Sequence, residues 1–171
     1  MSSLLPFERV LETHGAEIYR FLRRHVADPT DTADLHQETF LRAYRAYGRL
    51  EPGANVRAWL YRIAANLVRD ARRRSAVRGG AATDGPDPIA GAASDPHRRV
   101  EANELRAAVR AGLAGLPWRQ RTAVAARVFE GLDYATIAAM LDCSEVTARQ
   151  HVSQGLRRLR ASLAPPLEVP A

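Results

Sequence analysis

Lysine is absent from this chain of 171 residues: every basic side chain is an arginine. Cysteine is nearly absent. The single Cys143 excludes an internal disulfide and fits a reducing compartment. With only His151 eight positions on, it offers too few ligands for a structural zinc site. No apolar run approaches the ~18 residues needed to span a bilayer, so membrane insertion is not expected. The opening MSSLLPFERVLETH has no basic segment followed by an apolar stretch, so a secretory leader is not expected and a cytoplasmic location is. Nor is there a pair of carboxylates beside a histidine, a metal-ligand spacing or a Gly-rich phosphate loop. The expectation is therefore a protein without enzymatic activity, cofactor, metal or small-molecule substrate. What is abundant is positive charge. A net charge of +6 and a pI near 10.4 make polyanions candidate partners. Arginine and alanine together also fit GC-rich codon usage, which accounts for composition but not for where the arginines stand.

Strand signals are nearly missing. Apolar residues recur at three and four, which predicts an all-α chain. Two helical blocks, at 5–74 and 97–163, flank a stretch at 75–96 rich in Gly, Ala, Pro and Asp, which reads as a flexible linker. The last residues, 164–171, read as a frayed tail. In the first block a helix is expected from about Pro6 to His25. A second follows an Asp28 cap with Pro29 in its first turn and ends at about Tyr47, before Gly48. A third, capped by Asn55, runs to about Arg74. The second block predicts helices at about 97–114, from Pro117 to Glu130, over Tyr134–Leu141 and from Glu145 to about Arg160. Gly131 breaks the second from the third, and Ser144 caps the last.

Three surfaces carry the functional signal. Tyr134–Leu141, the turn Asp142-Cys143-Ser144 and the helix from Glu145 have helix-turn-helix spacing. Ala148, Val152, Leu156 and Leu159 form the buried stripe of that last helix. Glu145, Arg149, Gln150, Ser153, Gln154 and Arg157 lie on the outer side and suit base edges and phosphates. An ordinary helical hairpin with a solvated face is the other reading. On the third helix Leu60, Ile63, Ala64, Leu67 and Ala71 make a core stripe, while Trp59, Arg62, Asn66, Arg69 and Arg73 recur at three and four along another face. Arginines can follow phosphates, Asn66 can hold a base, and Trp59 either stacks on an unpaired base or belongs to the core. The third surface points away from DNA. Asp34, Gln37, Glu38 and Leu41 share one face, opposite Phe40, Ala43 and Tyr47; an acidic and amide patch on a basic protein suits a protein partner or plain solvent.

Two stretches together resemble the extracytoplasmic-function sigma factors of the sigma-70 superfamily. DTADLHQETFLRAY at 31–44, continuing to WLYRIAANLVRD at 59–70, is similar to sigma region 2. LPWRQR at 116–121, EGLDYATIAA at 130–139 and the helix-turn-helix are similar to region 4. The resemblance spans nearly all of the chain outside the linker and tail. It implies a promoter-specific initiation factor with two small helical domains. Asp34, Gln37, Glu38 and Leu41 would bind the β′ clamp helices of core RNA polymerase. Trp59, Arg62, Asn66, Arg69 and Arg73 would recognise and open the −10 element. Glu145, Arg149, Gln150, Ser153, Gln154 and Arg157 would face the −35 element. Region 4 would rest on the β flap, the linker would thread toward the RNA exit path, and an anti-sigma factor would hold the protein inactive. Two places depart from the family pattern. Ser153 and Gln154 stand where Arg or a bulky residue is frequent, and Ala65 stands where Arg commonly precedes the asparagine. The alternative is a two-domain helix-turn-helix regulator that does not act as a sigma subunit.

Overall fold

The computed structural model describes residues 5–26, 28–77 and 96–163; of residues 76 and 96–102 it describes the backbone alone. Seven α-helices account for the described secondary structure: α1 (Phe7–His25), α2 (Pro29–Tyr47), α3 (Val56–Val77), α4 (Pro96–Ala114), α5 (Trp118–Val128), α6 (Tyr134–Leu141) and α7 (Glu145–Leu163). Most of the stretch expected to be a linker, and all of the expected tail, lie outside the described residues. At the edges of that stretch, Ser75, Ala76 and Val77 continue α3 past Arg74, and Pro96 is the first residue of α4.

The helix starts follow local chemistry. Asp28 accepts hydrogen bonds from the backbone N–H groups of Thr30 (2.6 Å) and Asp31 (3.2 Å), and those bonds hold its carboxyl below the usual carboxylate range. Asn55 Oδ1 accepts from Ala58 N–H at 2.9 Å, Asp133 Oδ1 from Thr136 N–H at 2.7 Å, and Ser144 Oγ from Thr147 N–H at 3.1 Å. Each of these satisfies an amide that the first helical turn leaves without a partner. The ends differ. Gly48 follows α2 in ordinary right-handed conformation (φ −65°), so its freedom is not used there. Gly131 (φ 64°) and Asp142 (φ 52°) are left-handed, and these two turns set the α5–α6 and α6–α7 angles.

Helices α1, α2 and α3 pack pairwise, as do α5, α6 and α7, with α4 laid along α7. Phe40, Ala43, Leu60, Ala64 and Leu67 fill the first core as the periodicity predicts, joined by Ile18, Phe21 and Leu22 of α1, while Ile63 and Ala71 of the expected stripe are half-buried against it. Thr32 and Thr39 are fully buried without cost, because each hydroxyl donates to a carbonyl one turn back, Asp28 O at 2.8 Å and Leu35 O at 2.7 Å. A second packing arrangement was not legible from the stripe alone. Ala65 and Val68 are also buried, where α3 packs against α6 as well as against α1 and α2, and so is Tyr61, whose ring meets Phe21 of α1 at 5.2 Å. The two blocks thus share one continuous apolar cluster that runs from Val10 to Val152.

A close approach in the second block is at Gly155, where α7 crosses α5. A Cβ there would stand 2.6 Å from Val124 Cγ2 and 3.3 Å from the Gln120 carbonyl oxygen. Val124 is β-branched and buried, so it has little room to turn away. Gly155→Ala is expected to destabilise the protein by about 1–3 kcal/mol, outweighing the ~1 kcal/mol that alanine gains in helix propensity. Urea denaturation measures this. Gly112→Ala is the tolerant comparison, since its Cβ would meet only the ends of the Leu159 and Ser162 side chains.

Candidate nucleic-acid interface

Helix α7 buries Ala148, Val152 and Gly155 and turns Glu145, Arg149, Gln150, Ser153, Gln154 and Arg157 to solvent. Leu156 and Leu159 are half-buried. Arg149 is held from two sides: its guanidinium lies over the Tyr134 ring at 4.3 Å from the centroid, and Glu145 Oε2 is 3.8 Å away. Tyr134 also receives Arg127 at 4.8 Å, so the first residue of α6 is a platform beneath the outer face of α7. Sequence reasoning missed it, because Arg127 and Arg149 are not its neighbours in the chain and meet the ring only in the fold. Gln154 is tied inward. Its Oε1 accepts from Gln120 Nε2 at 3.0 Å, and Gln120 Oε1 accepts from Arg158 Nη1 at 3.1 Å. Cys143 is half-buried in the turn, and burial pushes its thiol up; burial pushes the His151 imidazole down.

On α3, Arg62, Asn66, Arg69 and Arg73 are exposed along one edge, with Asp70 loosely paired to Arg69 at 3.9 Å and to Arg73 at 4.0 Å. Trp59 is half-buried, packed against the core with its ring centroid 6.4 Å from that of Tyr47. Arg62, Asn66 and Arg69 open onto a polar cavity of about 350 Å³ whose far wall is Trp118, Arg119, Met140, Leu141 and Asp142. Upstream, Glu17 accepts two hydrogen bonds from Arg57 Nε (3.0 and 3.2 Å) and one from Nη2 (2.8 Å), and pairs with His14 Nδ1 at 2.6 Å. Burial opposes its charge, but these partners win and hold the Glu17 carboxyl below its usual value. This network fixes the first turn of α3 on α1 and leaves the basic stripe further along the helix.

On α2, Asp34, Gln37 and Leu41 are exposed, and Glu38 is half-buried with Oε1 accepting from Arg42 Nε at 2.6 Å. Phe40 and Ala43 are buried on the opposite side, and Tyr47 is half-buried with its hydroxyl donating to Leu5 O at 2.7 Å. Asp34 borders an open groove of about 600 Å³ shared by the start of α2 and the end of α3, with Asp31, Leu35, Ala71 and Arg74 among its walls. Among the described residues no group of three His, Cys, Asp or Glu side chains gathers to hold a metal, and no helix is long and apolar enough to cross a membrane.

Residues 10–78 match the family model for sigma-70 region 2, and residues 106–159 match the model for sigma-70 region 4. The chain belongs to the sigma-70 family. It is 33% identical over 164 residues to the ECF RNA polymerase sigma factor SigE of Mycolicibacterium smegmatis, an alignment that covers 95% of this chain and 63% of that protein. It is 34% identical over 159 residues to the RNA polymerase sigma factor CarQ of Myxococcus xanthus, covering 92% of this chain and 88% of that one. The fold is shared with the sigma factor RpoE solved in complex with the anti-sigma factor NepR from Bartonella quintana, at a TM-score of 0.69 and 23% identity over 92% of this chain and 96% of that one. This sigma-70 family member is thus of the extracytoplasmic-function type, with α1–α3 in its region 2 and α5–α7 in its region 4.

Proposed function

We propose that this chain is an alternative sigma subunit: it docks on core RNA polymerase in the cytoplasm and directs initiation at promoters with a −10 and a −35 element, without catalysing a reaction itself. The observation that carries this reading is the pairing of a helix-turn-helix whose outer residues all face solvent with a second, separate basic helix face on α3. In this reading Glu145, Arg149, Gln150, Ser153 and Arg157 face the −35 duplex, with Gln154 contributing its amide N–H₂ while its oxygen braces α5. Arg62, Asn66, Arg69 and Arg73 hold the −10 strand, and Trp59 offers a partly exposed ring edge. Asp34, Gln37, Glu38 and Leu41 meet the β′ clamp helices, and region 4 rests on the β flap. An anti-sigma factor is the expected antagonist, a reading supported by the fold shared with a chain solved in such a complex. The domain limits 5–74 and 97–163 and the linker 75–96 belong to the same proposal. The family matches do not favour a helix-turn-helix regulator that works beside, rather than within, the polymerase.

The test is run-off transcription from a genomic library with core enzyme plus this protein; no transcripts beyond those of core alone would overturn the reading. Two variants divide the labour. Arg149→Ala is expected to weaken −35 duplex binding by about 1–3 kcal/mol and to relax preference at one base pair. Asn66→Ala should leave closed-complex binding near the parent level and reduce strand opening, read as permanganate reactivity of unpaired thymines. Equal effects of both changes in both assays contradict the assignment.

A further inference from the structure

Gln120 of α5 is buried, only 7% exposed, and lies between two side chains of α7 that stand one helical turn apart. Arg158 Nη1 donates to its Oε1 at 3.1 Å, and its Nε2 donates to Gln154 Oε1 at 3.0 Å. The direction of this relay is fixed from one end. A guanidinium has donors only, so the amide oxygen of Gln120 faces Arg158. Its nitrogen then faces Gln154, and the Gln154 amide answers with its oxygen. Reversing the Gln154 amide alone would set two N–H₂ groups against each other and leave a buried donor without an acceptor. Gly155, between the two α7 residues, makes the approach possible: a Cβ there would stand 3.3 Å from the Gln120 carbonyl oxygen and 3.4 Å from Gln120 Cβ. Gln154 is itself exposed, one turn beyond Gln150 on the outer side of α7. The relay therefore turns its oxygen back toward α5 and its two N–H donors away from it.

We infer that Gln120 is a positioning residue for base recognition: by holding the Gln154 amide in one orientation, it makes residue 154 a hydrogen-bond donor that selects a keto base, guanine or thymine, in the duplex. The inference rests on the reading of α7 as the −35 helix. An unrestrained glutamine amide is ambivalent. It pairs with adenine by setting its oxygen and nitrogen side by side against N6 and N7. With the oxygen turned to α5 that pairing is closed, and the donors are what remains for the groove. In the major groove guanine presents O6 and thymine O4, both acceptors, where adenine and cytosine present the amino donors N6 and N4. A fixed N–H therefore meets a partner on a keto base and another donor on an amino base. Adenine N7 also accepts, but guanine has the same N7 with O6 beside it, so N7 does not favour adenine. What holds the orientation is the charge-assisted bond from Arg158 at the far end of the relay, which fixes Gln120 and through it Gln154. Gln120 never touches the base; it decides which atom of Gln154 does.

Selection by the full-length chain from a pool of duplexes randomised across the −35 element reads this directly. Gln154→Ala first locates the base pair: preference should be lost at one pair and kept at the others. At that pair the parent should favour guanine or thymine on one strand. Gln120→Glu reverses the relay. An ionised carboxylate has acceptors only, so it takes Arg158 on one side and Gln154 Nε2 on the other and turns the Gln154 oxygen outward. The preference should then move several-fold toward adenine or cytosine on that strand. Gln120→Leu removes the relay without adding a charge and frees the amide, so the keto preference should collapse with little change at the other pairs. A merely structural Gln120 would weaken binding to all duplexes alike. Far-ultraviolet circular dichroism and a thermal melt check the fold of each variant. A folded Gln120→Glu chain with the parent's preference, or a Gln154→Ala chain that loses preference at no pair, would overturn the relay. Should Gln120→Glu fail to fold, an unchanged preference in Gln120→Leu would overturn it alone. The switch from keto to amino bases in the pool, with no transcripts from core enzyme plus the parent chain, would instead overturn the sigma reading and leave the relay standing.

Discussion

A chain carrying Gln37→Ala and Glu38→Arg together is expected to fold as the parent does and to bind core polymerase about 30-fold to several-thousand-fold more weakly. The folding half of this expectation follows from position. Both side chains lie on the outer side of α2, opposite the buried Leu35, Thr39, Phe40 and Ala43, and the interaction lost within the protein is the Glu38–Arg42 pair one helical turn apart. Such exposed pairs contribute about 0.3–0.5 kcal/mol. The binding half follows from desolvation. In the free protein Glu38 and Asp34 are hydrated. Once a partner covers them their charges must meet donors, and a reversed charge leaves two like charges in a dry interface. Removing one partner of a desolvated pair costs about 2–5 kcal/mol, and each 1.4 kcal/mol is tenfold. Titration of labelled core enzyme reads the affinity and a thermal melt reads the fold. Holoenzyme affinity equal to the parent's would show that polymerase docks elsewhere, and the exposed Leu41 and Tyr44 beyond the acidic patch would then be the next face to alter.

What the sequence made legible was local. Asp28, Asn55 and Ser144 cap helices because an oxygen two or three residues ahead of an amide meets it as soon as the turn forms, and nothing distant is needed. The three candidate faces could be read because solvent-facing positions obey helical spacing. Burial created by the meeting of two blocks has no such signature. Alanine is as common on a helix surface as inside, so the burial of Ala65 beside the exposed Asn66 could not be read from its residue type. Arg24 and Glu130 are 106 positions apart, and each alone is an ordinary charged residue at a helix end. Glu17 and Arg57, 40 positions apart, pair only once α1 and α3 are packed. Trp59 was open between core and stacking, and it sits between the two, half-buried against Tyr47. Gln154 looked like its outward neighbours until α5 supplied Gln120 as its partner. In each case the missing term was long-range packing, which a period of 3.6 residues does not encode.

The titratable group most exposed to that packing is His25, and it predicts how acid acts on the protein. Its ring is 5% exposed, tilted against Phe21 and packed on Trp118, with Nδ1 donating to the Phe21 carbonyl oxygen at 2.8 Å and Nε2 buried without a partner. Burial pushes its pKa from 6.5 down to about 4 against the opposing pull of the Phe21 carbonyl, and the positive charges facing it, Arg121 from α5, Arg72 from α3 and Arg24 from α1, each add a smaller push in the same direction as burial. The folded form therefore holds the ring neutral where the unfolded chain would already be protonated. Above pH 6.5 both states are neutral and His25 makes no pH-dependent difference. As pH falls from 6.5 toward 4 the unfolded chain takes up a proton that the folded chain refuses, and stability drops. Below about pH 4 both are protonated and the loss levels off. At about 1.4 kcal/mol per pH unit the drop across this window is roughly 3 kcal/mol. Glu17 does not blur the result, because its lowered carboxyl withdraws its stabilisation only as pH falls below its ordinary value of 4.5. Urea denaturation at half-unit steps from pH 7 to pH 4 is expected to show the slope in the parent and to lose most of it in His25→Leu, which fills the same apolar space and cannot take a proton. A His25→Leu chain with the parent's full slope between pH 6.5 and 4.5 would place the acid-sensitive group elsewhere.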